Sequence, residues 1–331
     1  MNRLFASAFN LSCACVLLLS SIGLAAAPEA KPLLVPAASV KIPGAKGGFD
    51  FIQVDLPNRR LLACHTKEGT LDLVDLDKTT LIARIPVGAA QDVAVDAKSG
   101  KYFVTVSDKK HVAVIDTKTF AVKNTIATEG ELDGILLDPK NRRIYAAHDH
   151  GHEVWVIDID EEKIVATVAI PGDPEVFTYD AKNDRIYLNI VPTNEAVVID
   201  PKTETVVDHW SVQPAQRPHG LVLDARVGRL FSAGANGELV ALDTATGKVL
   251  GSAKTGNRVD QIAIDPELNK IYAASDGNVT VLKEIETGLE TLGDVAVPKG
   301  GKNVAVDLKT HAVWMAFTDG KDSFISAWRA P

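Results

Sequence analysis

The stretch "GILLDPKNRRIYAAHDHGHEVWVIDIDEEKIVATVAIPG" (residues 134–172) contains one complete unit of a repeat that decides the fold. It holds an apolar pentad ending at Asp138, a turn, the run "RIYAAH", a loop, the alternating run "VWVID" and the run "IVATVAIPG". Short runs rich in Val, Ile and Tyr, separated by Asn, Asp, Gly and Pro, are typical of strands joined by turns. One unit therefore predicts four antiparallel strands.

The pentad that ends in Asp recurs along the chain at intervals of 41 to 44 residues. Outside the first 27 residues, no segment shows sustained helical periodicity. A repeat of this length, with four short strands in each unit, is typical of a β-propeller. We therefore predict an all-β, seven-bladed β-propeller with four-stranded antiparallel blades. The marker residues that end the seven pentads are Asp55, Asp96, Asp138, Asp180, Asp224, Asp265 and Asp307.

The two ends of the repeat region predict how the ring closes. The last repeat, residues 303–328, supplies three strands, and "ASVKIPG" (38–44) matches the fourth strand "ATVAIPG" (166–172). An N-terminal strand that completes the last blade would leave no sheet edge open at the junction. We expect this pairing to hold the ring together.

A second aspartate, which ends the third strand of most units, is interpreted as a turn former. An Asp before a tight turn accepts hydrogen bonds from the backbone that follows it. We assign this structural role to Asp75, Asp116, Asp158, Asp200 and Asp243.

The repeat resembles the YVTN-type β-propeller family of exported proteins. The resemblance rests on the layout hydrophobic-Asp, Arg-Ile-Tyr, Val-Ile-Asp-x-x-Thr and Ile-Pro-x-Gly, and it spans residues 38–328. A looser resemblance extends to the lactonase-like seven-bladed propellers. The YVTN-type family has no shared catalytic motif, so the resemblance implies a fold and an exported location but no reaction.

The first 27 residues have the features of a secretory signal peptide. Arg3 precedes the apolar run 11–24, and three alanines (25–27) provide small residues for cleavage. We predict a signal peptide over 1–27, a single propeller domain over 28–331, and a periplasmic or secreted protein without membrane insertion. Cys64 would be the one cysteine of the mature chain, so the apolar core rather than an intramolecular disulfide must hold the fold.

The charge balance limits the classes of partner. The sequence has 43 acidic and 35 basic residues and a formal net charge of −8. It contains no basic stripe that would attract a phosphate backbone, so we exclude nucleic acid as a partner. A closed ring without an evident apolar surface run favours a monomer.

The candidate binding site is a set of polar residues that we call the mouth ring. Each lies five positions before a marker residue, where the innermost strand of a blade begins and where loops surround the channel mouth. Four acids dominate the set, which predicts an anionic funnel for cations or cationic groups. Alternatively, these acids are solvated or are paired with Arg217, Arg258 and Lys302. The mouth ring consists of Asp50, Gln91, Asp133, Glu175, His219, Asp260 and Lys302.

The loop "HDHGH" on the same face is a candidate metal site. His148, His150 or His152, together with Asp133 or Glu175, would offer imidazole and carboxylate ligands to Zn²⁺ or a similar divalent ion. The alternative interpretation is a hydrated polar loop.

Two functions remain open on the sequence. The first is a non-catalytic binding or interaction module whose ligand is a metal ion, a small cation or a basic protein segment. The second is a metal-dependent hydrolase of lactonase type, in which carboxylates hold a divalent ion and His219 or Asp260 moves a proton. Enzymatic activity is uncertain, and we favour the first.

Overall fold

The computed structural model describes residues 1, 31–42, 47–286, 288–320 and 322–331. The compact unit spans Pro32–Pro331. The predicted signal peptide, residues 1–27, lies outside the described residues apart from Met1 and stays a prediction. Among the described residues, no helix has the length and apolar character needed to cross a membrane.

The described residues form seven sheets of four antiparallel strands, which confirms the predicted seven-bladed β-propeller. Blade 1 contains β2 Ile52–Asp55, β3 Arg60–His65, β4 Thr70–Asp75 and β5 Thr80–Pro86, and blade 2 contains β6 Ala90–Asp96, β7 Lys101–Val106, β8 His111–Asp116 and β9 Val122–Ala127. Blade 3 contains β10 Leu132–Asp138, β11 Arg143–His148, β12 Glu153–Asp158 and β13 Lys163–Ala169. Blade 4 contains β14 Pro174–Asp180, β15 Arg185–Ile190, β16 Glu195–Asp200 and β17 Thr205–Ser211.

Blades 5 to 7 follow the same order, and the first strand of the chain completes blade 7. Blade 5 contains β18 Pro218–Asp224, β19 Arg229–Gly234, β20 Glu238–Asp243 and β21 Val249–Lys254. Blade 6 contains β22 Ile262–Asp265, β23 Lys270–Ser275, β24 Asn278–Ile285 and β25 Gly288–Ala296. Blade 7 contains β26 Asn303–Asp307, β27 Ala312–Thr318 and β28 Ser323–Arg329, together with β1 Val35–Ile42. Two short 3₁₀ helices, Thr66–Glu68 and Ser107–Lys109, lie between strands of blades 1 and 2.

Ring closure occurs through β1, as predicted. It pairs with β28 from Val35 opposite Arg329 to Ile42 opposite Ser323. The buried side chains of Val40 and Ile42 then join a core cluster with residues of blade 1. The chain start is thereby fixed to the chain end on one side and to the next blade on the other.

The aspartates before tight turns have the expected structural role. Asp158 Oδ1 accepts the backbone N–H groups of Asp160 and Glu161 at 2.9 and 2.8 Å. These bonds satisfy turn donors that would otherwise need water. Equivalent bonds form at Asp75, Asp116, Asp200 and Asp243.

The apolar core lies between blades, because each blade is too thin to enclose a core of its own. Each buried cluster joins two neighbouring blades; one combines Leu62, Cys64 and Leu73 of blade 1 with Tyr102 and Val104 of blade 2. Cys64 is fully buried, and burial raises the pKa of its thiol well above its usual value. Cys64 is therefore a residue of the core.

Candidate functional site

Backbone geometry gives the mouth ring its position. In blades 2 to 5 the ring residue is the second residue of the innermost strand, at the start of β6, β10, β14 and β18. A shift of register follows at once, for example between Leu132 and Ile135, so Asp133 has no partner in the ladder. Bulges of this kind bend a strand and redirect side chains. In blades 1, 6 and 7 the ring residue precedes the strand.

Two ion pairs connect ring residues of neighbouring blades. His219 Nδ1 lies 3.0 Å from Glu175 Oε1, and 23% and 17% of these side chains remain exposed, so a ligand can reach the pair. Lys302 Nζ lies 2.7 Å from Asp260 Oδ2. The structure therefore joins four of the seven ring residues into two pairs.

The first pair raises the pKa of His219. Burial alone would lower the pKa of the imidazole, but the hydrogen bond and the charge of Glu175 outweigh it, so the pKa is raised. For Lys302, burial likewise acts to lower the pKa, and the charges of Asp260 and Asp50 raise it. Both bases thus carry a positive charge over a wider pH range than in water.

Asp50 and Asp133 are the unpaired acids of the mouth ring. Neither carboxylate forms a hydrogen bond or ion pair with another described residue. Burial raises the pKa of Asp50 to about 7; the nearby Lys302 lowers it, and the carboxylates of Asp260 and Glu175 raise it. Burial, followed by the charges of Glu175 and Asp50, also raises the pKa of Asp133 well above its usual value. Both carboxylates are half-buried and have no direct ion-pair partner, and the charge of Lys302 offsets the effect of burial on Asp50 only in part.

Two amide oxygens at the mouth are also without a partner. Gln91 Oε1 and Asn303 Oδ1 are buried and accept no hydrogen bond from the described residues. Asn303 Nδ2 donates to Asp260 Oδ2 at 3.4 Å. Unsatisfied buried acceptors are rare in folded proteins, so these oxygens are available to a ligand that brings donors or a cation.

The polar residues just inside the ring have a structural role. Asp92 Oδ2 accepts the backbone N–H of Ile135 at 3.2 Å, which ties blade 2 to blade 3. Gln261 in blade 6 accepts the N–H of Val304 in blade 7 and exchanges bonds with Ile52 in blade 1. Asp92 and Gln261 also line a central cavity of about 350 Å³, whose other lining residues are mostly apolar residues of the innermost strands.

Pairing of the ring acids with Arg217, Arg258 and Lys302 was one of the alternatives left open by the sequence, and the structure shows it for Lys302 alone. Neither guanidinium forms an ion pair with a carboxylate of the described residues. Arg217 and Arg258 instead line a pocket of about 250 Å³ beside His219 and Asp260.

The three histidines of the "HDHGH" loop have different surroundings. His148 Nδ1 lies 3.2 Å from Glu153 Oε1, and its ring stacks on Trp155 with centroids 4.7 Å apart. The side chain of His152 is exposed. His150 Nδ1 instead lies 3.2 Å from Asp173 Oδ2, a residue of blade 4. The structure therefore does not bring the three imidazoles into one ligand set.

Asp149, His150 and Asp173 form the group that fits a metal ion. One ligand atom from each of the three lies within 4.8 Å of the others. The hydrogen bond that the His150 imidazole donates to Asp173, together with the charge of Asp149, raises the pKa of His150. Sequence reasoning missed Asp173, although its position two residues before Glu175 on the mouth face was a usable signal.

Comparison with known proteins supports the fold and nothing finer. The chain is similar in structure to a hydrazine synthase from Kuenenia stuttgartiensis, with a TM-score of 0.72, 15% identity, and coverage of 86% of this chain and 98% of that one. It is also similar to the RRP9 WD40 repeats, with a TM-score of 0.75, 10% identity, and coverage of 89% and 99%. No protein-family model and no curated protein matches the chain, so membership of the YVTN-type family stays a prediction.

Proposed function

We propose that this protein is an exported, non-catalytic binding propeller of YVTN type whose mouth ring takes up a positively charged group. The observation that carries the proposal is the pair of half-buried carboxylates of Asp50 and Asp133, which form no ion pair or hydrogen bond with the described residues. The propeller fold is consistent with a binding role, because a rigid ring holds loops from several blades around one mouth.

Ionisation of these acids is unfavourable in the empty mouth. Burial and mutual repulsion disfavour the ionised forms of Asp50, Asp133 and Glu175. A cation that enters the mouth would offset both effects, and the orphaned oxygens of Gln91 and Asn303 would add acceptors for its donors or for a metal. A metal ion, a small organic cation and the side chain of a basic protein segment share this chemistry.

The exported location is part of the proposal. Its support is the sequence of the first 27 residues, with a basic start, an apolar run and small residues at the end. Mass spectrometry of protein recovered from the extracytoplasmic fraction would test it. A new N-terminus near residue 28 is expected, and an intact Met1 would contradict export by cleavage.

Calorimetric titration with cadaverine, a diamine that carries only positive charge, tests cation binding. The wild type should bind, and the Asp50→Asn/Asp133→Asn variant should lose at least tenfold in affinity. Glu290→Gln removes one exposed carboxylate on the outer strand β25 and serves as the matched control. If the double variant binds as tightly as Glu290→Gln, the proposed role of the mouth ring is wrong.

A metal-dependent hydrolase of lactonase type is the second candidate. The observation that favours it is the pKa of Asp50, about 7, which suits a general base at neutral pH. Turnover of a lactone panel with added Ca²⁺ or Zn²⁺ tests it. Activity that Asp50→Asn abolishes would support the enzyme, and absence of turnover with every metal would leave the binding module.

A further inference from the structure

The channel mouth carries opposite charges on two sides. Blades 3 and 4 contribute the acids Asp133, Asp149, Asp173 and Glu175. Among the described residues, the exposed His150 pairs with Asp149 and Asp173, and His219 of blade 5 pairs with Glu175. Blades 5 and 6 contribute Arg217 and Arg258, whose guanidinium groups have no acidic partner among the described residues. The predicted anionic funnel is therefore half of a bipolar mouth.

Backbone hydrogen bonds hold the two arginines together. Ala235 N–H donates to Arg217 O at 3.1 Å, and Arg258 N–H donates to Ala235 O at 2.9 Å. The N–H of Arg217 also donates to Asn194 Oδ1 at 2.7 Å. Ala235 thus bridges Arg217 of blade 5 and Arg258 of blade 6, so both residues have defined backbone positions at one edge of the mouth.

Both arginines have strained backbone conformations. Their φ angles are 50° for Arg217 and 58° for Arg258, in the left-handed region that non-glycine residues seldom adopt. Strain of this kind persists only where surrounding contacts determine the conformation. The hydrogen bonds through Ala235 and Asn194 supply those contacts, and the result is two exposed arginines that line the same pocket.

The pocket between the arginines connects them to the mouth ring. Arg217, Ala235, Arg258 and Val259 line it together with the ring residues His219 and Asp260. Its volume of about 250 Å³ is slightly below the usual range of about 300–1,000 Å³ for ligand pockets, which fits a molecule with few heavy atoms. The planar guanidinium group favours a carboxylate, because its N–H donors match the two carboxylate oxygens.

We propose that the ligand of the mouth is a small zwitterion of the amino-acid class. Its carboxylate binds Arg217 and Arg258, and its ammonium group lies toward the unpaired carboxylates of the mouth ring. This inference rests on the proposed function and deepens it, because it adds an anionic group to a ligand that was so far only cationic.

A matched pair of probes tests the proposal. L-Lysine is cadaverine with a carboxylate on one terminal carbon, so their difference in affinity reports the anion subsite. The wild type should bind lysine at least tenfold more tightly than cadaverine. In Arg217→Gln/Arg258→Gln the preference for lysine should be lost, while cadaverine should bind at least as tightly as it binds the wild type, because two positive charges near its site are removed. Arg329→Gln, at the exposed far end of β28, is the control and should leave both affinities unchanged.

Each other outcome has a distinct meaning. Equal affinity for lysine and cadaverine in the wild type overturns the zwitterion and leaves the cation site. A preference for lysine that survives in the double arginine variant also overturns the inference. If the wild type binds neither lysine nor cadaverine, the inference and the proposed function are both overturned. Tight binding of pentalysine amide that is insensitive to the arginine substitutions assigns the mouth to a protein segment and overturns the small ligand. Thermal melts of each variant establish that it is folded.

Discussion

Arg59 of blade 1 forms a bidentate ion pair with Asp307 of blade 7, with Nη1 to Oδ1 at 2.6 Å and Nη2 to Oδ2 at 2.7 Å. The Asp307 carboxylate is 1% exposed. Asp307 is a marker residue of the repeat, so the same side chain that starts a turn also joins the blades that close the ring. A second pair, Arg142 with Asp96, joins blades 3 and 2 in a similar way.

Replacing Arg59 should therefore weaken ring closure. Arg59→Lys keeps the charge but loses the bidentate geometry, and we expect the free energy of unfolding to fall by about 1–3 kcal/mol. Denaturant unfolding measures this change. Lys78→Gln removes an exposed pair with Asp75 (N–O distance 3.6 Å) and should change the free energy by less than about 0.5 kcal/mol. Equal effects of the two substitutions would contradict a special role for Arg59.

Deleting β1 should be far more damaging than deleting the residues before it. A chain that starts at Lys31 keeps the pairing of β1 with β28 and should melt at the temperature of the full chain. A chain that starts at Gly47 loses Val40 and Ile42 from the core and exposes the edge of β28. We expect aggregation or a loss of cooperative unfolding, measured by calorimetry, and an unchanged melt would contradict closure through β1.

The acids of the mouth ring predict an unusual pH dependence of stability. The pKa of Asp50 is about 7 in the folded protein against 3.8 for the ordinary side chain, so between these values the folded state binds more protons than the unfolded state. Stability from this group is present below about pH 4 and is lost as the pH rises through 7. His219, whose pKa is also raised, acts in the same direction. The melting temperature should fall from pH 5 to pH 8.

The Asp50→Asn substitution isolates this effect. It removes a group whose ionisation opposes folding above about pH 4, so we expect a gain in stability at both values that is larger at pH 8 than at pH 5. Thermal melts at both values, with Glu290→Gln as the exposed control, make the comparison. A loss of stability at pH 8 would contradict the raised pKa of Asp50.

Metal binding on the mouth face should depend on His150 and not on its neighbours. The imidazole of His150 and the carboxylates of Asp149 and Asp173 form the compact ligand set. We expect His150→Ala to weaken Zn²⁺ binding at least tenfold in calorimetric titration, since it removes one of three ligands. His148→Ala and His152→Ala should bind Zn²⁺ like the wild type, because His148 packs on Trp155 and His152 is exposed outside the set.

The pH dependence of Zn²⁺ binding gives an independent check. Because Asp173 raises the pKa of His150, a proton competes with the metal at higher pH than for a free imidazole. Affinity should decline as the pH falls through that raised pKa. If the histidine variants behave alike, the Asp149–His150–Asp173 group is not the metal site.

The sequence by itself determined the fold of this protein. Strand periodicity and turn chemistry depend on residues that are close in the chain, so the sequence shows them directly. Seven units at intervals of 41 to 44 residues then predict a closed ring of seven blades, which the structure has. The positions of Asp50, Asp133 and Glu175 at the starts of innermost strands were also readable, because every blade begins in the same way.

Only the tertiary structure decided how these residues combine. Glu175 pairs with His219, Asp260 pairs with Lys302, and Asp133 is left without a partner, although all of these acids occupy equivalent places in their repeats. A repeat pattern makes such positions equivalent, whereas ion pairs and pKa shifts depend on distances between side chains of different blades. Those distances are set by the packing of one blade against the next, which is why the free arginines and the His150 site emerged only from the folded ring.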